Sequence, residues 1–292
     1  SKELLKFSKT KVYALDRDKK VSFIANKLEK KFPKRFKFYQ IKFSQLDSIL
    51  EDNIDVIIFD LGLSSIQLND LDRGFSFKSN KELDMAMGKN EISALNVINS
   101  LSEKNLKLVI KILGDENEAS LIAKNIVKNR NLKKITKTSD LVKIIEKSKK
   151  KKYSSKINPC TKTFQAIRIF VNKEITELIN GIINATKKLK PGGKLLAVSF
   201  HSIEDKIIKY FFTSFSKNKS RPSRYFPESN INELILFDEY KNKVFRPSKK
   251  EIDENARSRS AKLRYAIRSE NKFDYPKNLL KKFKKYLDVE AI

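Results

Sequence analysis

Asp55-Val-Ile-Ile-Phe-Asp60, running on into Leu61-Gly-Leu-Ser-Ser65, is the stretch that decides the fold class. An unbroken apolar run closed by an acid and a glycine turn reads as a strand buried on both faces, as in a parallel α/β sheet. Ligands of such sheets bind just beyond the carboxyl ends of the strands. Asp60 stands at that end, and Gly62 lets the backbone turn close to a bound molecule. The design recurs further on. Leu189-Lys-Pro-Gly-Gly193 punctuates the chain, Lys194 to Val198 is predicted as a strand, and Ser199-Phe-His-Ser202 follows it. Polar residues at two strand ends imply a site, and an enzyme more than a scaffold.

Outward from there, Val12–Leu15 reads as a strand ending in Asp16-Arg-Asp18, with a helix over 18–31. Phe36 to Phe43 is the next strand, and Ser44 to Leu50 a short helix or turn. Residues 61–90 lack a sustained period but carry Arg73-Gly-Phe-Ser-Phe77 and Leu83-Asp-Met-Ala-Met87, the mark of a functional lid more than of spare chain. From 91 to 150 the period is helical, with Leu106, Val109, Ile110 and Leu113 on one face. Sixty residues of helix without a strand suggest an inserted subdomain. Thr163 to Leu189 and Glu204 to Ser214 are helical again, and 217–250 is irregular. Lys262-Leu-Arg-Tyr-Ala-Ile-Arg268 alternates as a strand with one basic, wet face, and Asn278 to Leu287 is an amphipathic tail.

Charge narrows the partner. Across 292 residues, 63 Lys and Arg outnumber 35 Asp and Glu for a net +28, which points to a polyanion, most often nucleic acid. Clustering strengthens the point: five lysines fall within Lys147–Lys152, and Arg257, Arg259, Lys262, Arg264 and Arg268 recur near the end. The single cysteine, Cys160, excludes an intramolecular disulfide and suits a reducing compartment. With one histidine as well, no Cys/His metal site is expected. No run reaches the ~18 apolar residues of a membrane span and no signal-peptide pattern opens the chain, so a cytoplasmic protein without a membrane partner is expected.

Candidate site residues follow from position. Asp16, at a strand end, suits the two hydroxyls of a ribose; its rival reading is a helix cap, for which Asp18 is better placed. Phe43, closing its strand, suits an adenine ring or a place in the core. Asp60 suits a cofactor's adenine edge or charged end, or a cap, and Gln67 is near enough in sequence to line the same pocket. His201, flanked by serines, can accept or pass a proton near neutrality. Ser199 and Ser202 lack a nucleophile-elbow pattern. Cys160 has no activating partner and reads as structural.

Taken in series, Asp60-Leu-Gly-Leu-Ser-Ser-Ile-Gln-Leu68, Arg73-Gly-Phe-Ser-Phe77, Leu83-Asp-Met85, Thr163-Phe-Gln-Ala-Ile-Arg-Ile169 with Val171-Asn172 and Glu174, Pro191-Gly-Gly-Lys-Leu through Ser199-Phe-His-Ser-Ile-Glu-Asp205, and Asn255-Ala-Arg-Ser-Arg-Ser-Ala-Lys-Leu-Arg264 form a recognisable set. The chain resembles the bacterial small-subunit ribosomal RNA cytosine-N4 methyltransferases. The resemblance implies a class I S-adenosylmethionine-dependent (Rossmann-like) α/β sheet over 1–90 and 164–292, with an inserted all-helical domain at 91–163. It implies S-adenosylmethionine as cofactor, held by Asp16, Phe43, Asp60 and Gln67. The family's glycine-rich loop ends Gly-Gly-His-Ser, of which only Ser1 stands here, so the first strand and that loop are expected to be missing. Ala86 replaces a usual Arg, and Cys160 a usual Ala.

The implied chemistry is direct methyl transfer to an exocyclic amine, with Asp60, Ser64 and His201 as candidates to bind the amine or take its proton. Phe75 and Phe77 are candidates to stack on a splayed base. Arg168, Lys149 and Lys150 within the lysine run, and Arg257 and Arg259 with the arginines up to Arg268, are expected on phosphates. The expected partner is small-subunit ribosomal RNA or the assembled 30S-type particle, and a homodimer stays open. The rival readings are a noncatalytic RNA-binding or ribosome-assembly protein on a degenerate methyltransferase fold, and a nicotinamide-dependent oxidoreductase using Asp16 on that ribose.

Overall fold

The computed structural model describes residues 1–49, 51–88, 90, 92–149, 158–217 and 234–292. They form two compact units, Ser1–Phe43 with Leu63–Thr176 and Lys285–Ile292, and Ser44–Gly62 with Glu177–Lys284.

In the first unit, β1 (Val12–Leu15) pairs in parallel with β2 (Phe36–Tyr39), Val12 opposite Phe36 and Leu15 opposite Tyr39. The crossover is α1 (Ser22–Lys31), entered through a 3-10 turn at Lys19–Val21. Strand alternation puts Val12, Ala14, Phe36 and Phe38 on the face that packs with Leu5, Ala25, Leu28 and Phe32. The predicted strand to Phe43 is shorter than expected. Its ladder ends at Asp16 N–H donating to the Tyr39 carbonyl, and Phe43 instead opens a 3-10 helix, Phe43–Ser48. With β1 turning away at Asp16, nothing in that strand remains for residues beyond Tyr39 to pair with.

The helical stretch is as the period predicts. After the short α2 (Ser65–Asn69) come α3 (Ala94–Ser100), α4 (Glu103–Gly114), α5 (Ala119–Leu132), α6 (Thr138–Ser148) and α7 (Thr161–Asn172). α4 buries Leu106, Val109, Ile110 and Leu113 and packs on α5 and α7, while α5 packs on α6. Its last residue, Gly114, is required by contact: a Cβ there would lie 2.4 Å from the Lys162 carbonyl oxygen of α7. The single helix predicted over 163–189 is two, α7 and α8 (Glu174–Lys188), because Lys173 between them is left-handed at φ 50°.

In the second unit, β3 (Ile54–Asp60) lies parallel to β4 (Leu189–Ser199), and β5 (Lys262–Ile267) runs antiparallel on the far side of β4. α9 (Ser202–Ser214) and α10 (Lys249–Glu254) intervene, and α11 (Lys277–Glu290) follows. Two expectations are corrected. β3 is not buried on both faces: it is an edge strand among the described residues, with Val56 and Ile58 46% and 47% exposed. An apolar run records tolerance of burial and cannot say whether a neighbour is present. On β5 the basic face is the dry one. Arg264 and Arg268 are each 5% exposed, and Tyr265, between them, is 40% exposed. Arg264 donates to Asp205 Oδ1 (2.7 Å), the Tyr240 hydroxyl (3.0 Å) and Asn242 Oδ1 (3.0 Å), while Lys262 holds Asp205 Oδ2 (2.9 Å). Arg268 donates to the carbonyls of Leu236 and Ser269, both at 3.0 Å. A charge-assisted partner set of this kind is what makes a buried guanidinium tolerable. No helix among the described residues is long and apolar enough to cross a membrane.

Candidate functional site

The end of β1 carries two acids, Asp16 and Asp18. Asp16 Oδ1 accepts the Asp18 N–H at 2.8 Å, and no described residue bonds its other oxygen. Burial pushes this carboxyl above the ordinary aspartate range, against the pull of the Asp18 N–H and of Arg73 and Arg17. Asp18 itself caps the 3-10 turn, accepting the Lys20 N–H at 3.1 Å. Its second oxygen accepts from Gln67 Nε2 at 2.8 Å and from the Arg73 guanidinium. Burial alone would raise the Asp18 pKa; the bonds from Arg73 and Gln67 outweigh it, and the carboxyl ends below its usual range.

Gln67 therefore serves chiefly to join two segments. In the capping box at the start of α2, Ser64 Oγ accepts the Gln67 N–H (3.2 Å) and Gln67 Oε1 accepts the Ser64 N–H (2.9 Å). One amide hydrogen goes to Asp18, so only the other is left for a ligand. The Ser64 hydroxyl keeps its own proton to donate. Phe43 is half-buried at the head of its 3-10 helix.

Two residues given no role in the sequence analysis organise residues 84–88 and Asn90. Arg73 bonds Asp18 and the Ala86 carbonyl (2.6 Å), and its own carbonyl accepts the Met85 N–H at 2.9 Å. Asn172, 1% exposed at the end of α7, uses all four of its hydrogen-bonding positions. Nδ2 donates to the Met85 and Arg168 carbonyls, and Oδ1 accepts from Met87 N–H and Asn90 Nδ2, each at 2.8 Å. Arg17, next to Asp16, adds a bond to the Asn172 carbonyl (3.1 Å) and another to Asn90. A polar residue inside the apolar face of a helix was the available signal for Asn172. Asp84, in this loop, is half-buried, and burial raises its pKa against the nearby Arg73.

In the second unit, Asp60 ends β3, Leu61 N–H still bonds the Val198 carbonyl (3.1 Å), and Gly62 turns the chain at φ 87°. A Cβ at Gly62 would meet only the Phe200 ring at 3.4 Å, so it is the left-handed backbone that demands glycine here. Asp60 is open to solvent on its outer side, yet the protein beneath it and then Glu204 raise its pKa. His201 caps α9: Nδ1 accepts the Glu204 N–H at 3.5 Å, and the Glu204 carboxylate accepts from Phe200 N–H (2.8 Å) and His201 N–H (3.3 Å). An accepting Nδ1 places the ring proton on Nε2. That nitrogen is 3.2 Å from Glu204 Oε1, a charge contact too poorly aligned to be a hydrogen bond. His201 thus spends Nδ1 on the cap of α9 and keeps Nε2 buried beside Glu204.

The expected RNA contacts fare unevenly. Phe75 is 6% exposed under the Arg73 guanidinium, too deep to receive a base, and Phe77 packs edge-on against Phe164 at 6.2 Å. Arg168 donates from Nε and Nη2 to the two Glu174 carboxylate oxygens, each at 2.8 Å, and Lys149 pairs with Glu116 at 2.6 Å, so neither presents an uncommitted charge to phosphate. Arg257 and Arg259 are exposed in a 3-10 turn, Ala256–Ser260. Lys150 lies outside the described residues. Cys160 is buried, and burial, then Glu146, pushes its thiol up to about 12, in keeping with the structural reading.

Comparison with known proteins places the chain in a family. The family model described as the MraW methylase family matches residues 1–269. A Bartonella grahamii protein named Ribosomal RNA small subunit methyltransferase H is 42% identical over 259 residues, 89% of this chain and 77% of that protein. Its namesake from Ehrlichia canis is 40% identical over 273 residues (92% and 89%), and that from Brucella anthropi 37% over 266 residues (89% and 76%). On the extent of the family match and these identities, the chain belongs to the MraW methylase family.

Proposed function

We propose that this chain methylates the exocyclic N4 amine of a cytidine in small-subunit ribosomal RNA, with S-adenosylmethionine as donor and the assembled particle as substrate. Family membership and relatives named as small-subunit ribosomal RNA methyltransferases support the reading, as does the net +28. The observation that carries it is Asp16: a carboxylate at the end of a parallel strand, half-buried, with one oxygen fixed by its own turn and the other unclaimed by any described residue. That arrangement fits a ribose diol. Asp60 carries over as a cofactor residue from the family resemblance alone, whereas Gln67 supports Asp18 more than it binds. The inserted helical domain is assigned to 91–163, with 1–90 and 164–292 carrying the methyltransferase part.

S-adenosylmethionine supplies, when bound, a methyl group already electrophilic on its sulfur. The chain has then to position an amine whose lone pair is delocalised into the ring, exclude water, and accept one proton. Asp60 is assigned that proton, because a carboxylate raised by burial is a stronger base than a solvated one. The Ser64 hydroxyl is the donor assigned to orient the base, and His201, its Nε2 buried beside Glu204, is assigned to holding the turn before α9. No covalent intermediate is invoked, which agrees with a buried, high-pKa Cys160.

The test is methylation of small-subunit particles with labelled donor and mass mapping of the nucleoside. One N4-methylated cytidine is expected, with transfer abolished in Asp60→Asn and S-adenosylhomocysteine binding weakened in Asp16→Asn. Methylation at carbon, or undiminished binding in Asp16→Asn, would refute the respective assignment.

A further inference from the structure

With Phe75 buried and Phe77 packed on Phe164, the substrate's bases need another surface, and the second unit offers one. Phe245 and Leu263 form a hydrogen-bonded pair beside β5, Phe245 N–H to Leu263 O at 3.0 Å and Leu263 N–H to Phe245 O at 2.9 Å. Tyr265, two residues along the same face, is then the diagonal neighbour of Phe245. Their ring centroids lie 6.1 Å apart with planes tilted by 34°, and the residues are 39% and 40% exposed. Lys243 Nζ sits 4.9 Å from the Phe245 centroid. The segment 241–259 that carries Phe245 holds seven Lys and Arg against Glu251, Asp253 and Glu254, and Lys243, Arg246 and Arg259 among them are exposed.

We infer that Phe245 and Tyr265 form a stacking platform for unpaired bases of an RNA strand, whose phosphates are gripped by Lys243, Arg246 and Arg259. The inference rests on the proposed RNA substrate and names where, on this chain, the strand is held. Aromatic rings on a sheet surface receive bases of any sequence through their π-faces, while a cationic rim tracks the backbone. An apolar face meant for another protein's core is depleted of charge, whereas here Lys243 sits on the Phe245 ring and exposed Arg246 follows Phe245 in the chain. The two aromatic residues stand well apart in the chain and are brought together only by the antiparallel pairing at Leu263.

The test measures binding of a single-stranded small-subunit ribosomal RNA segment by fluorescence anisotropy across a salt series, with S-adenosylhomocysteine affinity, thermal midpoint and sedimentation recorded for each variant. Tyr265→Ala and Phe245→Ala are each expected to weaken RNA binding by roughly 5- to 100-fold, while Tyr265→Phe retains it. Arg246→Gln and Arg259→Gln should each lower the salt slope by about one. RNA affinity equal to the parent's in folded alanine variants overturns the platform, as does loss of a dimer in those variants without loss of RNA affinity, which would make the face a contact between copies. If an alanine variant unfolds, the exposed pair Lys243→Glu with Arg246→Glu decides: unchanged RNA affinity sinks the proposal. A parent that binds RNA but not S-adenosylhomocysteine counts against the cofactor assignment of Asp16 and leaves the platform to be judged on the RNA data alone.

Discussion

Replacing Asn172 by aspartate (N172D) changes the chemistry of one side-chain atom and almost no volume, and the structure says what that costs. Oδ1 can still accept from Met87 N–H and Asn90 Nδ2, but the two bonds donated at 2.8 Å to the Met85 and Arg168 carbonyls are lost. The Arg168 carbonyl remains in the α7 ladder, so its loss is partial. The Met85 carbonyl is left buried without its donor, at ~1–3 kcal/mol. A carboxylate oxygen pointed at two carbonyls adds repulsion and desolvation, so the total should be about 3–5 kcal/mol, the usual cost of a broken buried polar set. Because the charged form is disfavoured, the introduced carboxyl would have its pKa raised above the unfolded ~3.9. Its acid form can return one donor, so the deficit is smallest at low pH and grows with pH, levelling off above the folded pKa. With no tryptophan in the chain, urea unfolding is followed by far-UV circular dichroism at several pH values. A deficit within ~0.5 kcal/mol of zero, the range of an ordinary surface change, or one that shrinks as pH rises, would refute the account of Asn172 as the four-bond anchor of Met85, Met87 and Asn90.

The other expectations are simpler. Gly114→Ala puts a methyl 2.4 Å from the Lys162 carbonyl oxygen, so α4 and α7 must separate, at about 1–3 kcal/mol; calorimetry should show the loss, and an unchanged midpoint would deny the close crossing. Asp205 is held below its usual pKa: burial opposes this, but the bonds from Arg264 and Lys262 prevail. Its stabilisation is present above the unfolded value and lost as pH falls through the folded one, so urea midpoints should fall on acidification below about pH 4. Asp205→Asn should flatten that acid limb. Cys160, buried with its thiol raised to about 12, should resist a thiol reagent in mildly alkaline buffer until urea unfolds the chain; rapid native labelling would contradict its burial.

Local pattern carried far in this chain. The apolar period of 106–113, the acid closing 55–60 and the Asp18 cap are interactions between near neighbours, so composition and spacing specify them without knowledge of the fold. Asp16 and Asp60 were legible as strand ends for the same reason. Arg73, Arg264 and Asn172 were not, because partners such as Asp18, Asp205 and Met85 lie 55, 59 and 87 residues away, and Arg17 reaches Asn172 across 155. A guanidinium in sequence is only a charge; whether it is spent on Asp205 or offered to RNA depends on what the chain brings beside it.

The amino-acid sequence by itself therefore determined the α/β class, the helical stretch, the basic character and the strand-end acids. Tertiary structure alone decided which charges are neutralised inside, that Phe75 is core and Phe245 with Tyr265 surface, and that β3 has an exposed face. The physical reason is that burial and pairing are properties of neighbours in space, and a one-dimensional period records only which side of an element can face inward.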